Sequence, residues 1–326
     1  MVRLRLFLTG YYVMQIKNDF NSLLNEFPAQ PASILKTLST QSGRLDKKQV
    51  DSLLSCLNMT IEELMKALLP LAASLSVTPV SSFQVGTIAE GGSGNLYFGA
   101  NLEFSQHPLK ITVHAEQCVV TNAWHQGETW LKRLMVNEAP CGHCRQFLKE
   151  LNRVDDLQII IDRTSRGEVV TRKIGDLLPD AFGPGDLGIK EYLMSDACYP
   201  LSLSERSFSE KSFSEKPLAE TSELAQAALE AARRSHAPVS NSRAGVALQL
   251  SSGRVVTGRY GENAAFNPGI SAMEAAVVNW RMALLAQPED HIVAAVMVEQ
   301  QGTSSQRYLA EVFLADYGVR LEYFKV

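Results

Sequence analysis

Apolar and polar positions along the chain fall into short runs with either helical or alternating spacing. From about Asn18 to Ser76 the spacing is helical. In IEELMKALLPLAASL the residues Ile61, Leu64, Leu68 and Leu71 recur on one face, and Thr60 with Glu63 forms a capping box. Pro70 is expected to kink or end that helix. FQVGTIAE (83–90) and NLYFGA (95–100) read as strands joined by the turn GGSG. Helices are predicted to begin near His114, to occupy GETWLKRLMV (127–136), and to begin again near Cys141. LQIIIDR (157–163) reads as a buried strand and GEVVTRKI (167–174) as another. A second series of the same kind runs from SELAQAALEAARRSH to the C-terminal VRLEYFKV. Strands alternating with helices predict a layered α/β fold.

The pattern breaks between residues 195 and 221, where SERSFSEKSFSEKP is a polar tandem repeat that reads as a linker, or as a segment ordered only by packing onto something else. The two sides of this break resemble each other. LAASLSVTPVSSFQVG (71–86) aligns with EAARRSHAPVSNSRAG (230–245), so Pro79 recurs as Pro238 and Gly86 as Gly245. YFGANLEF (97–104) aligns with RYGENAAF (259–266), which pairs Asn101 with Asn263 and Glu103 with Ala265. VHAEQCVV aligns with SAMEAAVV, placing Ala272 opposite His114, and Ser242 stands opposite Phe83. Two units indicate a duplicated domain and not a solenoid. The expected organisation is an N-terminal extension with a helical segment (1–60), a first α/β domain (61–194), a linker (195–221) and a second, degenerate α/β domain (222–326).

Composition narrows the partners. The 326 residues carry a formal net charge of -4 and show no dense basic run, which argues against a nucleic-acid partner. No apolar run reaches the roughly 18 residues of a membrane span. Five cysteines, an odd number spread over a long chain, argue against a disulfide scaffold and for a reducing, cytoplasmic setting. The opening MVRLRLFLTGYYVMQ is interrupted by Gly10 and two tyrosines, and the expectation is that Met14 is the natural start.

The remaining signals concern chemistry. Cys141 and Cys144 alone, as C-x-x-C, fit a redox pair, half a zinc ribbon or coincidence. His114 alone fits a core or surface group, and Glu116 alone an acid in a first helical turn. Together, His114, Cys141 and Cys144 supply the number and type of ligands found at catalytic zinc, with a fourth position open. Pro140 favours a helix start at Cys141, where free N–H groups lower a thiolate's pKa. Two thiolates would weaken the pull of the ion on a bound water, and the two helix dipoles with Arg145, next to Cys144, are placed to restore some of that acidity. His143 is expected to be exposed and not a ligand, and Cys118 to be a buried core thiol.

His114-Ala115-Glu116 followed by Pro140-Cys141-Gly142-His143-Cys144 is similar to the H-x-E and P-C-x-x-C signature of the zinc nucleobase deaminases. FQVGTIAEGGSGNLYFGANLEF resembles the nucleoside-binding segment of the cytidine deaminase family, and the duplication resembles its two-domain bacterial form. The resemblance implies duplicated three-layer α/β/α domains with mixed sheets, one zinc ion per chain held by His114, Cys141 and Cys144, and Glu116 as the proton shuttle. It also implies that Phe83 packs on the pyrimidine, that Asn101 and Glu103 meet the ribose hydroxyls, that the Ala115 N–H meets a polar atom of the base, and that Phe182 closes over it, from its own or a partner subunit. The expected reaction is hydrolytic deamination of cytidine and deoxycytidine by a homodimer. The second domain, without the ligands, is expected to hold no zinc. Two alternatives stand beside this reading: deamination of a polynucleotide, disfavoured by net acidity and by the Phe83, Asn101 and Glu103 pattern, and a non-catalytic zinc protein, disfavoured by Glu116.

Overall fold

The computed structural model describes residues 19–163, 166–203 and 218–326. The tandem repeat and the segment before Met14 lie outside the described residues. Helices α1 (Asp19–Leu24), α2 (Ala29–Leu35) and α3 (Lys47–Leu57) precede α4 (Ile61–Ala73), and a two-residue strand β1 (Arg44–Leu45) lies among them. The Thr60/Glu63 capping box is formed, and Leu64, Leu68 and Leu71 are buried as the spacing requires. The helix runs three residues beyond Pro70 before it ends at Ala73.

The first sheet contains β2 (Gly86–Gly91), β3 (Leu96–Ala100), β4 (Leu131–Val136), β5 (Gln158–Arg163) and β6 (Glu168–Arg172), with β1 on one edge. Its order is β1-β3-β2-β4-β5-β6, and β4–β5 is its parallel pair. Glycines mark how the layers close. A Cβ on Gly86 would lie 2.3 Å from the Ala73 backbone nitrogen, and one on Gly99 would lie 2.4 Å from that of Val119 in α5 (Ala115–His125). Gly99 is paired with Thr87, the neighbour of Gly86, so the two glycines face opposite sides of the sheet. Helix α4 therefore covers one face and α5 the other, which makes three layers. Helix α6 (Gly142–Lys149) and the short α7 (Ile174–Leu177) complete this domain.

One sequence expectation fails here. GETWLKRLMV does not form a helix: residues 131–136 are strand β4, hydrogen-bonded between β2 and β5. Leu, Lys, Arg and Met favour helices on intrinsic propensity, but two strand partners and a largely buried position override that preference.

The second sheet holds β7 (Ala244–Leu250), β8 (Val255–Arg259), β9 (Ile292–Glu299) and β10 (Leu321–Lys325) in the order β10-β9-β7-β8. With α8 (Leu218–Arg233), α9 (Ala272–Ala283) and α10 (Arg307–Ala315) it repeats the first domain, including the parallel pair β9–β10 and the irregularity near the end of the first hairpin strand. Gly245 meets α8 and Gly258 meets α9 as Gly86 and Gly99 meet α4 and α5. Helix α8 starts at Leu218, ahead of the expected domain start at 222.

The structural register corrects the sequence alignment of the two copies. Glu103 accepts the N–H groups of Val80 and Ser81, and Glu262 accepts those of Val239 and Ser240. Glu262, not Ala265, is thus the counterpart of Glu103, and Tyr260 that of Asn101. Likewise Gln117 and Glu274 make equivalent caps to the N–H groups of His114 and Ser271. Ser271, not Ala272, stands opposite His114, and Met273 stands opposite Glu116. Identical letters misled the alignment: Asn263 and Phe266 repeat Asn101 and Phe104, and Glu274 repeats Glu116, at positions that the hydrogen bonds do not pair.

Candidate active site

His114 caps α5 and Cys141 caps α6, each in extended backbone just before its helix. The Thr87 hydroxyl donates to the Ala115 carbonyl at 2.8 Å and ties the start of α5 to β2. Arg145 does not face the thiols with its hydrogen bonds. It donates to the carbonyls of Pro140 and Leu177, at 2.9 and 2.8 Å, and so fixes the turn that carries Cys141.

The two helix starts converge. His114 Nδ1 lies 3.6 Å from Cys141 Sγ and 3.3 Å from Cys144 Sγ, and the two sulfurs are 3.6 Å apart. Tetrahedral zinc, with Zn–S about 2.3 Å and Zn–N about 2.0–2.1 Å, spaces such donors roughly 3.5–3.8 Å apart. The triangle therefore fits the ion without rearrangement. Among the described residues it is the one cluster of His, Cys, Asp or Glu donors close enough to share a metal. His143 is half-buried, its ring centroid 5.2 Å from that of His114, and it does not join the cluster.

The protonation states follow from these contacts. Hydrogen bonds from Cys144 and then His114 hold the Cys141 thiol down to about 3, as a thiolate. Sharing its proton with Cys141, and burial, push Cys144 up. The hydrogen bond to Cys141 raises His114. Metal binding would displace the protons of Cys144 and His114. Glu116, almost wholly buried and in hydrogen-bond reach of Cys144, is raised by burial, as suits a group that must take up and release a proton. Cys118 is fully buried, and burial pushes it up to about 12.

The expected substrate contacts lie on the loop before β2 (Phe83), the segment after β3 (Asn101 and Glu103), the start of α5 (Ala115) and the segment beyond α7 (Phe182). Phe83 is 51% exposed and Phe182 45% exposed, both free to pack against a ligand. Phe182 is held near α6, since Gln146 donates to its carbonyl at 2.8 Å. Asn101 holds the Phe83 loop: its amide donates to the Phe83 carbonyl and accepts from the Val85 N–H, both at 2.9 Å. One N–H and one lone pair of that amide remain for a ligand. Glu103 accepts from Val80 and Ser81 N–H at 3.0 Å each and from the Ser81 hydroxyl, leaving one carboxylate lone pair. Glu262 does the same work in the second copy, so the expected loss of Glu103 there does not hold.

Sequence reasoning missed Ser81 and Asn137. The Ser81 hydroxyl also accepts the Phe83 N–H at 3.0 Å. Asn137 joins the end of β4 to the Phe83 loop through Gly86 and Gln84. Its sequence signal is an amide side chain just before the cysteine motif.

Comparison with known proteins identifies a family. Residues 59–160 and 174–311 each match the cytidine and deoxycytidylate deaminase zinc-binding region. The chain is 44% identical over 287 residues to a cytidine deaminase of Serratia proteamaculans, covering 84% of this chain and 91% of that one. It is 45% identical over 253 residues to one of Proteus mirabilis, covering 78% and 79%. Among solved structures, cytidine deaminases of Burkholderia pseudomallei (28% identity, TM-score 0.34) and Mycobacterium tuberculosis (30%, 0.34) each cover 38% of this chain and 100% and 99% of their own. With two matching regions and relatives of this identity along most of its length, the chain belongs to the cytidine and deoxycytidylate deaminase family.

Proposed function

We propose that the chain catalyses zinc-dependent hydrolytic deamination of cytidine and deoxycytidine to uridine and deoxyuridine, with release of ammonia. The observation that carries this reading is the donor triangle of His114, Cys141 and Cys144 with the buried Glu116 carboxylate beside it. His114, Cys141 and Cys144 would hold zinc, which when bound supplies Lewis-acid activation of water at neutral pH. Glu116 takes a proton from the water as its oxygen attacks C4 and delivers it to N3 of the ring. It then carries the second proton to the amine, the C4–N bond breaks, and ammonia departs, leaving a C4 carbonyl. Phe83 and Phe182 pack the pyrimidine, the Ala115 N–H meets a polar atom of it, and the groups left over on Asn101 and Glu103 meet the ribose.

In this reading residues 61–194 form the catalytic domain, and 222–326 form a degenerate domain that supports it. Duplication within one chain supports a homodimer, and exposed Val80, Phe83, Leu109 and Phe266 offer apolar surface for a second copy to cover. Free thiols in the site support a reducing cytoplasm. Among the described residues no helix is long and apolar enough to cross a membrane.

The test is absorbance-monitored conversion of cytidine to uridine by purified, zinc-loaded protein, with sedimentation for its mass. Folded, zinc-bound protein that leaves cytidine and deoxycytidine intact would overturn the reading.

A further inference from the structure

Where the Phe83 segment enters β2, two asparagine side chains take over the sheet's hydrogen-bond ladder. Strand β3 ends at Ala100, and Asn101 bonds residues 83 and 85. Strand β4 ends at Val136, and Asn137 bonds residues 84 and 86. Its carbonyl oxygen accepts from the Gly86 N–H at 3.0 Å, its amide donates to the Gln84 carbonyl at 3.3 Å, and its own N–H donates to the Gly86 carbonyl at 3.3 Å. Alternate residues of an extended segment present their backbone groups to opposite neighbours, so the two amides grip the segment from both sides.

The second copy shows what this replaces. There β9 continues through Val298 and Glu299, and the Gln300 N–H donates to the Arg243 carbonyl, so main chain does the pairing. In the first copy the chain must leave the sheet at Asn137 to bring Cys141 to His114. An amide side chain then stands in for the departed backbone. Asn137 thus ties the start of the metal-ligand turn to the segment that carries Phe83.

We infer that Asn137 is a positioning residue that sets the Phe83 ring over the base relative to the metal-ligand turn. The inference rests on the proposed deamination and on Phe83 as the base contact. Its signature is coupling: removing Asn137 weakens substrate binding only as long as Phe83 is there to be misplaced.

The experiment is a double-mutant cycle on the full-length, zinc-loaded chain, with Asn137→Ala, Phe83→Ala and both together. Cytidine turnover by the unsubstituted chain is measured first, so failure of the proposed activity shows there and failure of the inference only in the cycle. Asn137→Ala is expected to raise KM roughly tenfold, to lower kcat by less than about threefold, and to keep its zinc; in the Phe83→Ala background it should change KM by less than about twofold. Asn137→Asp keeps an acceptor for the Gly86 N–H and should fall between; it carries the cycle if the alanine variant does not fold. Equal factors in both backgrounds, an unchanged KM in Asn137→Ala, loss of zinc, or no effect of Phe83→Ala alone would each overturn the inference.

Discussion

The first domain ends β4 at Val136 and turns out of the sheet to place Cys141 beside His114; the second runs β9 on to Glu299 and offers Ser271 and Met273 where His114 and Glu116 stand. Much else is shared. Glu103 and Glu262 hold equivalent loops, in which Ser82 and Asn241 both take left-handed backbone at φ 57° and 54°. Glu128 and Asp290 brace equivalent hairpin turns through Ser93 and Ser252. What both copies keep is what the fold needs. What only the first keeps is what the chemistry needs.

The largest expected effect tests that division at two glutamates with similar sequence surroundings. Glu116→Ala should lower kcat by roughly 10³-fold, within the range for loss of a general acid–base, and retain its zinc. Glu274→Ala should leave kcat unchanged, because Glu274 accepts the Ser271 N–H at 2.7 Å as a helix cap. Its loss should cost stability by about 1 kcal/mol. Steady-state rates, metal analysis and urea unfolding on both variants decide it; a kcat loss in Glu274→Ala like that of Glu116→Ala would sink the structural register and the comparison with it.

A smaller effect should appear in both copies alike. A Cβ on Gly86 or Gly245 meets helix backbone at 2.3 or 2.2 Å, atoms that cannot swing away. Gly86→Ala and Gly245→Ala should each destabilise the chain by about 1–3 kcal/mol, the usual cost of forcing atoms into a packed contact. Urea midpoints for the two variants provide the check. A loss confined to one of them would show that the copies do not close their layers in the same way.

How much of this was legible in the sequence depended on the range of the interactions involved. Helix α4, the capping box at Thr60, the β2–β3 hairpin and both ligand-bearing helix starts are set by local spacing, and they were readable. Strand β4 was not, because LKRLMV becomes a strand only through partners distant in sequence. The copy-to-copy register failed for a related reason: Asn263 and Phe266 match Asn101 and Phe104 by letter, whereas hydrogen bonding places Glu262 opposite Glu103. The ligand triad was legible because zinc demands particular residue types at particular spacings. Asn137 was not, since its role exists only where a strand departs and another segment arrives.

The smallest effect concerns two histidines at the junction between the copies, which should respond to pH in opposite senses. His125 Nε2 accepts the Arg259 backbone N–H at 3.1 Å, and Nδ1 contacts the Thr121 carbonyl at 2.9 Å, an arrangement that only the neutral ring satisfies. Burial, aided by the Arg259 charge, holds its pKa well below the usual 6.5. A depressed folded-state pKa means its stabilisation is complete above about pH 6.5 and is lost as pH falls below that value. His236 lies between two carboxylates, with Nε2 3.2 Å from Glu150 and Nδ1 3.3 Å from Glu191, and donating to both requires the imidazolium. Burial pulls its pKa down, but the two carboxylates outweigh it and the value rises above 6.5. Its stabilisation is therefore complete below about pH 6.5 and is lost as pH climbs through the raised value. In urea unfolding, the deficit of His125→Gln against the unsubstituted chain should shrink from about pH 7.5 to 5.5, and that of His236→Gln should shrink from about pH 6 to 8.5, each by on the order of 1 kcal/mol, the size of one hydrogen bond. Slopes of the same sign would mean that the two joints do not carry the charge states assigned to them.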